Sequence, residues 1–221
     1  MNSLSKKSGI ATSVRGRPAV PEQELIEKIH HAAFQLLREK DIDALSVDDI
    51  ARTAGVAKKT FYRFFANRSA LLENLILTWS STFVLYSLPV PDTQAAVANV
   101  LEQFFVKLAE RALSDNAVAL FKYLQHDSAN KTRFLALYRE SGIDNAGKIL
   151  DAWLIELRTR GFIASDWPDN GAKHLQALII APTLRDIALG LLPAVPEFDI
   201  RPRIREVMAF MTPLLGLPPS Q

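Results

Sequence analysis

Residues 46–65 have the sequence SVDDIARTAGVAKKTFYRFF, and this stretch decides the fold. Ser46 followed three residues later by Asp49 resembles a capping box with Asp in place of the usual Glu or Gln, and it predicts the start of a short helix. Gly55 favours the left-handed turn conformation that ends such a helix. A second short helix is predicted over 57–65. Two short helices joined by a glycine-containing turn form the helix-turn-helix pattern, whose second helix enters the major groove of DNA.

The spacing within this motif separates an inner face from an outer face. The apolar residues predicted to pack inward are Ile50, Ala51, Val56, Phe61 and Phe65. The residues left on the outer face of the second helix are Lys58, Lys59, Thr60, Tyr62 and Arg63. Lysines neutralise phosphates, hydroxyls donate to phosphate oxygens, and Arg binds guanine with two hydrogen bonds. The outer face therefore favours contact with DNA over the alternative of an ordinary solvated helix corner.

Helical periodicity extends outward from the motif in both directions. A helix is predicted from residue 22 to about residue 40, and another from Ser69 to Phe83 before Pro89. Further helices are predicted over 95–113, 116–125, 133–160, 171–192 and 202–215. Gly142 and Gly147 are possible breaks in the third of these, and Pro182 is expected to kink the fourth. No segment alternates with a period of two, so we predict an all-α fold with about nine helices.

The residues 55–72, GVAKKTFYRFFANRSALL, together with the preceding SVDDIA block, resemble the TetR/AcrR family of bacterial transcriptional regulators. The resemblance implies a three-helix DNA-binding domain, a fourth helix leading to a helical ligand-binding and dimerisation domain, and a homodimer. It places Ser46 at a helix start where its side chain can touch a phosphate. It gives Lys58, Lys59, Thr60, Tyr62 and Arg63 the DNA-contact positions and aims Arg68 at the DNA backbone. Ala57, Lys59 and Phe64 depart from the family pattern, and Ala57 removes a side-chain cap.

The predicted domains are a flexible basic arm over 1–21, a helix-turn-helix domain over 22–68 and a helical domain over 69–221. The arm contains Arg15 and Arg17 and no acidic residue. Such arms bind narrow minor grooves, where the negative potential is strong. A disordered tail that merely adds positive charge is the alternative.

Aromatic residues of the helical domain are either ordinary core or the lining of an apolar ligand pocket. The residues proposed for that lining are Trp79, Phe83, Phe104, Tyr123 and Trp153. The last two predicted helices are unusually apolar, which is typical of central core or of an interface. The residues predicted for a dimer interface are Leu175, Leu178, Ile179, Leu184, Ile187, Leu191, Ile204, Val207, Met208 and Met211.

Composition excludes several other classes of protein. The chain has no cysteine, so disulfides and thiolate metal sites are excluded. We find no secretory signal, no apolar run long enough for a membrane span and no catalytic or cofactor motif, so we expect a cytoplasmic protein without enzymatic activity, cofactor or metal.

The function predicted from these residues is a ligand-responsive regulator, usually a repressor. It would bind double-stranded DNA at a near-palindromic operator as a homodimer and release it when a small-molecule effector binds. One alternative is a chromosome-organising DNA-binding protein of the same fold that has no ligand. Another is a helical enzyme or carrier with an apolar cavity.

Overall fold

The sequence periodicity produces a chain of helices in the computed structural model, which describes residues 20–39, 45–81, 88–126 and 129–218. Its α-helices are α1 (Glu22–Glu39), α2 (Val47–Thr53), α3 (Lys58–Phe64), α4 (Arg68–Ser81), α5 (Val97–Ala112), α6 (Asp115–Gln125), α7 (Lys131–Tyr138), α8 (Asn145–Thr159), α9 (Ala172–Ala188) and α10 (Arg201–Met211). A short 3-10 helix, Gln94–Ala96, precedes α5, and a π-helical turn, Arg139–Asp144, joins α7 to α8. Because α7, this turn and α8 are contiguous, the described ranges contain nine separate α-helical rods and no strand. The predicted all-α fold is confirmed.

The first three helices pack around the aromatic residues of α3. Ile29 from α1, Ile50 from α2 and Phe61 from α3 are completely buried. The Phe65 ring, just after α3, is also buried, and its centroid lies 5.7 Å from that of Phe61. Apolar burial of this kind is the main stabilising force for such short helices. The predicted inward face is confirmed, although Val56 is only half-buried.

The turn between α2 and α3 has the geometry that its sequence predicts. Gly55 has a φ of +65°, which is the left-handed region. The Gly55 amide donates to the Arg52 carbonyl at 3.1 Å, and the Val56 amide donates to the Ala51 carbonyl at 3.0 Å. Ala57 then begins α3 without a side-chain cap. The predicted loss of a cap at this position is confirmed.

The N-terminal helices are attached to the remainder of the chain through α1 and α4. Helix α1 packs against α6, and α4 packs against α7 and the π turn. His30 also connects α1 directly to α4, because its Nε2 forms a hydrogen bond of 2.7 Å with Oδ1 of Asn74 on α4. Burial lowers the pKa of His30, so the neutral ring is favoured in this contact.

The predicted helix over 133–160 is not broken at Gly142 or Gly147. It instead continues through the π turn from α7 into α8. Gly142 lies in this turn, and a Cβ built on it would be 3.3 Å from Cζ3 of Trp79. The Trp79 ring stacks on the Tyr138 ring with centroids 5.3 Å apart and planes 6° from parallel. The glycine therefore allows the turn to approach α4 closely. Pro182 likewise lies inside α9 without ending the helix. Over the described ranges, no helix is both long enough and apolar enough to cross a membrane.

Candidate nucleic-acid interface and internal cavity

The outer face of α3 is open to solvent. Lys59, Tyr62 and Arg63 are exposed, and the Tyr62 side chain keeps 49% of its full exposure although it is aromatic. Thr60 is half-buried. Phe61 on the opposite side is completely buried, so the orientation of α3 is fixed by its own core residue. The structure thus displays the predicted cations and hydroxyls together on one outward surface, which we call the α3 face.

Two cations of the α3 face have acidic neighbours. Lys58 Nζ lies 2.8 Å from Oδ1 of Asp48 on α2, and this hydrogen bond raises the pKa of Lys58. Arg63 lies 3.8 Å from a carboxylate oxygen of Glu22 at the start of α1. Both pairs are largely exposed, so each is weak and can be exchanged for a phosphate. Lys59 has no ion pair with another residue of the described ranges.

Ser46 caps α2 as its sequence predicts. Its Oγ accepts a hydrogen bond from the Asp49 amide at 3.0 Å and donates to Asp49 Oδ2 at 2.7 Å. The Asp49 carboxylate also forms an ion pair with Arg52. The Ser46 side chain is exposed, so its second lone pair is accessible, but its hydroxyl proton is already used within the chain.

Arg68 has different partners from those expected. Its guanidinium donates to the Leu45 carbonyl at 3.1 Å and to the Tyr123 hydroxyl at 3.3 Å. Arg68 is half-buried in this position. The sequence suggested that it points at the DNA backbone, whereas the structure uses it to join the start of α4 to the segment before α2 and to α6. Arg15 and Arg17 lie outside the described residues.

A partly open cavity of about 250 Å³ lies among α4, α5, the π turn and α9. Its lining is mostly carbon. The lining residues include Trp79, Tyr138, Gly142, Lys173, Gln176, Ala177 and Leu184. Among the predicted pocket residues that the structure describes, Trp79 alone lines it. Tyr138 and Gly142 were missed because their contribution depends on the π turn, whose only signal in the sequence is the glycine.

The other predicted pocket residues are used elsewhere in the core. Tyr123 accepts the hydrogen bond from Arg68, and Trp153 Nε1 donates to the Pro89 carbonyl at 3.0 Å. Phe104 packs edge-on against Phe105 with centroids 5.3 Å apart. None of these three lines the cavity beside α9, because each is buried against a different neighbour. Phe83 lies outside the described residues.

A second, larger cleft of about 400 Å³ separates α1 from the junction of α5 and α6. Charged residues line it, including Lys107, Glu110 and Arg111. A hydrated, charge-lined cleft matches the usual composition of a small-molecule site less well than the apolar cavity does. We therefore treat the cavity beside α9 as the candidate effector site.

The predicted dimer residues are mostly buried within one chain. Those in the core are Leu175, Ile179, Ile187, Ile204, Val207, Met208 and Met211. Their three- and four-residue spacing packs α9 and α10 onto the chain's own core, which is the alternative that the sequence left open for these apolar helices. Leu184 is half-buried and lines the cavity. Only Leu178 and Leu191 are exposed, and Leu191 keeps 70% of its full exposure.

Other apolar residues near these helices are exposed and were missed. Phe210 on α10 keeps 67% of its exposure, and Leu214 follows it by four residues. Phe210 lies on α10 and Leu214 lies in the turn that follows it, and both side chains face solvent. The Arg203 side chain donates to the Leu178 carbonyl at 3.1 Å, which places α10 beside α9. We call Leu178, Phe210 and Leu214 the α9–α10 apolar surface.

Comparison with known proteins agrees with this geometry. Residues 29–75 match the model of the family described as bacterial regulatory proteins, tetR family. The uncharacterized HTH-type transcriptional regulator YdeS of Bacillus subtilis is 37% identical over 89 residues, which are 40% of this chain and 42% of YdeS. The match therefore spans less than half of that relative.

Similar solved structures extend the likeness to nearly the whole chain. The flavonoid-responsive regulator FrrA has a TM-score of 0.64 at 26% identity, over 87% of this chain and 97% of FrrA. A TetR transcriptional regulator from Agrobacterium tumefaciens has a TM-score of 0.68 at 21% identity, over 89% of this chain and 95% of that one. The second likeness concerns the fold alone.

Proposed function

We propose that the chain is a transcriptional regulator of the tetR family, and that it is a cytoplasmic repressor that binds a near-palindromic operator as a homodimer and dissociates when a small molecule binds. The match of residues 29–75 to the family model and the likeness to known regulators support this proposal. The observation that carries this proposal is the α3 face, where Lys59, Tyr62 and Arg63 are exposed on a helix anchored by Phe61. Cations and hydroxyls displayed in this way bind phosphates and base edges in a major groove.

The dimer follows from the geometry of duplex DNA. One short helix covers few base pairs, and two related grooves on one side of the duplex lie about 34–36 Å apart or a multiple of it. A two-fold dimer places two copies of α3 at such a spacing. We propose the α9–α10 apolar surface as its contact, since Leu178, Phe210 and Leu214 are exposed apolar residues on or just after these two packed helices.

The effector acts through α4 in this proposal. Trp79 on α4 lines the cavity, and Arg68 at the start of the same helix binds the Leu45 carbonyl just before α2. A ligand that displaces Trp79 shifts α4, and α4 changes the position of the DNA-binding helices. Linkage then requires that DNA weaken ligand binding by the same factor.

The DNA contact is tested with genomic fragments retained by the wild-type protein. One retained fragment is titrated by fluorescence anisotropy with wild type, Tyr62→Ala, Lys59→Ala and the control Lys148→Ala, which removes an exposed cation on α8. We expect each α3 variant to bind roughly tenfold more weakly, because a hydrogen bond to a charged group contributes about 1.5–3 kcal/mol. Lys59→Ala should also reduce, by about one, the magnitude of the slope of log affinity against log salt concentration.

Two outcomes contradict this assignment. If both α3 variants bind as tightly as wild type, the α3 face does not contact DNA. If wild type binds many unrelated fragments with equal affinity, the protein organises chromosomal DNA without recognising an operator.

The dimer contact is tested separately by sedimentation. Phe210→Glu should shift the protein from dimer to monomer and weaken operator binding, because it buries a charge in an apolar contact. Leu135→Glu on α7 is the matched control, since Leu135 is also an exposed apolar residue. An unchanged dimer in Phe210→Glu would exclude this surface.

A further inference from the structure

The cavity beside α9 combines an apolar surface with a basic residue. Its lining is almost entirely carbon, and Tyr138, Lys173 and Gln176 contribute little polar surface to it. No aspartate or glutamate of the described ranges lines this cavity. Such a lining favours an apolar ligand, and the ammonium of Lys173 disfavours a cationic one.

The Tyr138 hydroxyl is a donor held inside the molecule. Its side chain keeps only 8% of its full exposure, and it has no hydrogen bond with another residue of the described ranges. Burial raises the pKa of Tyr138 to about 12, so the hydroxyl keeps its proton at neutral pH. The protonated hydroxyl can donate a hydrogen bond to an acceptor on a bound ligand.

Lys173 and Gln176 provide a charged group beside the same cavity. They are three residues apart on α9, so they share one side of the helix. Lys173 is exposed, and neither side chain has a partner within the described part of the chain.

We propose that the effector is a small apolar monocarboxylate, with its carboxylate at Lys173 and Gln176 and its apolar body against the stacked rings of Trp79 and Tyr138. This inference rests on the proposed function, because it names the chemistry of the ligand that releases DNA. An ammonium and an amide N–H beside an apolar space bind a carboxylate with charge-assisted hydrogen bonds. The volume of about 250 Å³ lies below the usual range for drug-sized ligands, so the molecule is small.

The preference for a carboxylate over other polar groups of the ligand is tested by titration calorimetry on the full chain without DNA. The aliphatic probes are octanoate, 1-octanol and octylammonium, and the aromatic probes are 2-naphthoate and 2-naphthol. We expect one carboxylate to bind about tenfold more tightly than the alcohol with the same body, because a hydrogen bond to a charged group adds about 1.5 kcal/mol. The two bodies distinguish an aliphatic effector from an aromatic one.

The role of Lys173 is tested with Lys173→Gln, which removes the charge at an exposed position. This variant should lose about tenfold in carboxylate affinity and keep its affinity for the alcohol. Lys148→Gln on α8 is the matched control, since it removes an exposed lysine outside the cavity lining. Ala177→Phe, at an exposed position of the lining, should abolish binding of every probe by filling the cavity.

Several results would overturn the inference. They are binding of no carboxylate, equal or tighter binding of octylammonium, unchanged carboxylate affinity in Lys173→Gln, or unchanged binding in Ala177→Phe. Operator titrations run in parallel separate this failure from failure of the proposed function. A protein that binds its operator but no carboxylate remains a regulator with a different effector, whereas one that binds carboxylates but no genomic fragment is not the proposed repressor.

Discussion

The N-terminal helices and the cavity beside α9 are assembled from the sequence in different ways. The cap Ser46, the turn Gly55 and the anchor Phe61 lie within one stretch of twenty residues, and each acts on its near neighbours. The cavity takes Trp79 from α4 and Lys173 from α9, which are far apart in the chain. The first region is therefore set by local rules, and the second by packing between distant helices.

The basic residues of the two regions also differ in whether they form ion pairs. On the α3 face, Lys58 is paired with Asp48 from the neighbouring helix. Beside the cavity, Lys173 has no acidic partner in the described ranges. An exposed pair is exchanged at little cost for a phosphate. A lone ammonium next to an apolar space instead gives the site a preference for an anion.

The largest expected effect is that of removing the anchor of the locally determined region. Phe61→Ala should lower the free energy of unfolding of the N-terminal helices by about 3–5 kcal/mol, because Phe61 is completely buried. Urea denaturation followed by circular dichroism measures the change. DNA binding should be lost, while probe binding in the cavity should persist.

Leu135→Ala is the control for this substitution. Leu135 is an exposed apolar residue of α7 outside the proposed dimer contact, so its truncation should change stability by less than about 0.5 kcal/mol. Loss of cavity binding in Phe61→Ala would show that the two regions fold as one unit, and the contrast between them would not hold.

A smaller effect is expected at the turn. Gly55→Ala should destabilise the protein by about 1 kcal/mol, because a side chain in the left-handed region is strained. A Cβ at this position would meet nothing within 4 Å, so the strain is conformational and not steric crowding. Gly55→Asn should lose less, since Asn tolerates this region better. Equal stability of the two variants in thermal melts would count against this cause.

The locally determined region was therefore the one that could be predicted from the sequence. The cap at Ser46, the positive φ of Gly55, the uncapped Ala57 and the outward α3 face were all expected, because each depends on residues within one or two turns. Arg68 is the exception. Its partners Leu45 and Tyr123 are distant in the chain, so its role in joining the two regions could not be predicted from local sequence.

The distant contacts of the second region could not be predicted in the same way. Periodicity found the apolar positions of α9 and α10 but could not tell which side packs on the same chain. The regularly spaced Ile204 and Met208 are core, and Phe210 between the core positions is exposed. The cavity lining depends on a π turn, and single-sequence periodicity does not distinguish a π turn from continuous α-helix.

The missing cap offers a stabilising test of the local rules. Ala57→Ser should stabilise the protein by about 1 kcal/mol, because the backbone at Ala57 is already extended and a hydroxyl can accept from an α3 amide. Thermal melts measure the gain. Ala66→Ser is the control, since Ala66 is exposed but precedes the residue Asn67, whose side chain already accepts from the Ala70 amide at the start of α4. A gain in the control but not in Ala57→Ser would refute the capping explanation.

The smallest expected effect concerns the charge contrast between the two regions. Asp48→Asn should tighten DNA binding by about twofold to fivefold at low salt, because it frees Lys58 and removes a negative charge beside the α3 face. The gain should shrink as salt is raised. The same change should slightly lower stability, since Asp48 lies in the first turn of α2, where the helix dipole favours an acid. Asp169→Asn, which removes an exposed and paired acid elsewhere, should leave DNA affinity unchanged. Weaker DNA binding by Asp48→Asn would mean that Asp48 positions Lys58 for DNA instead of competing with it.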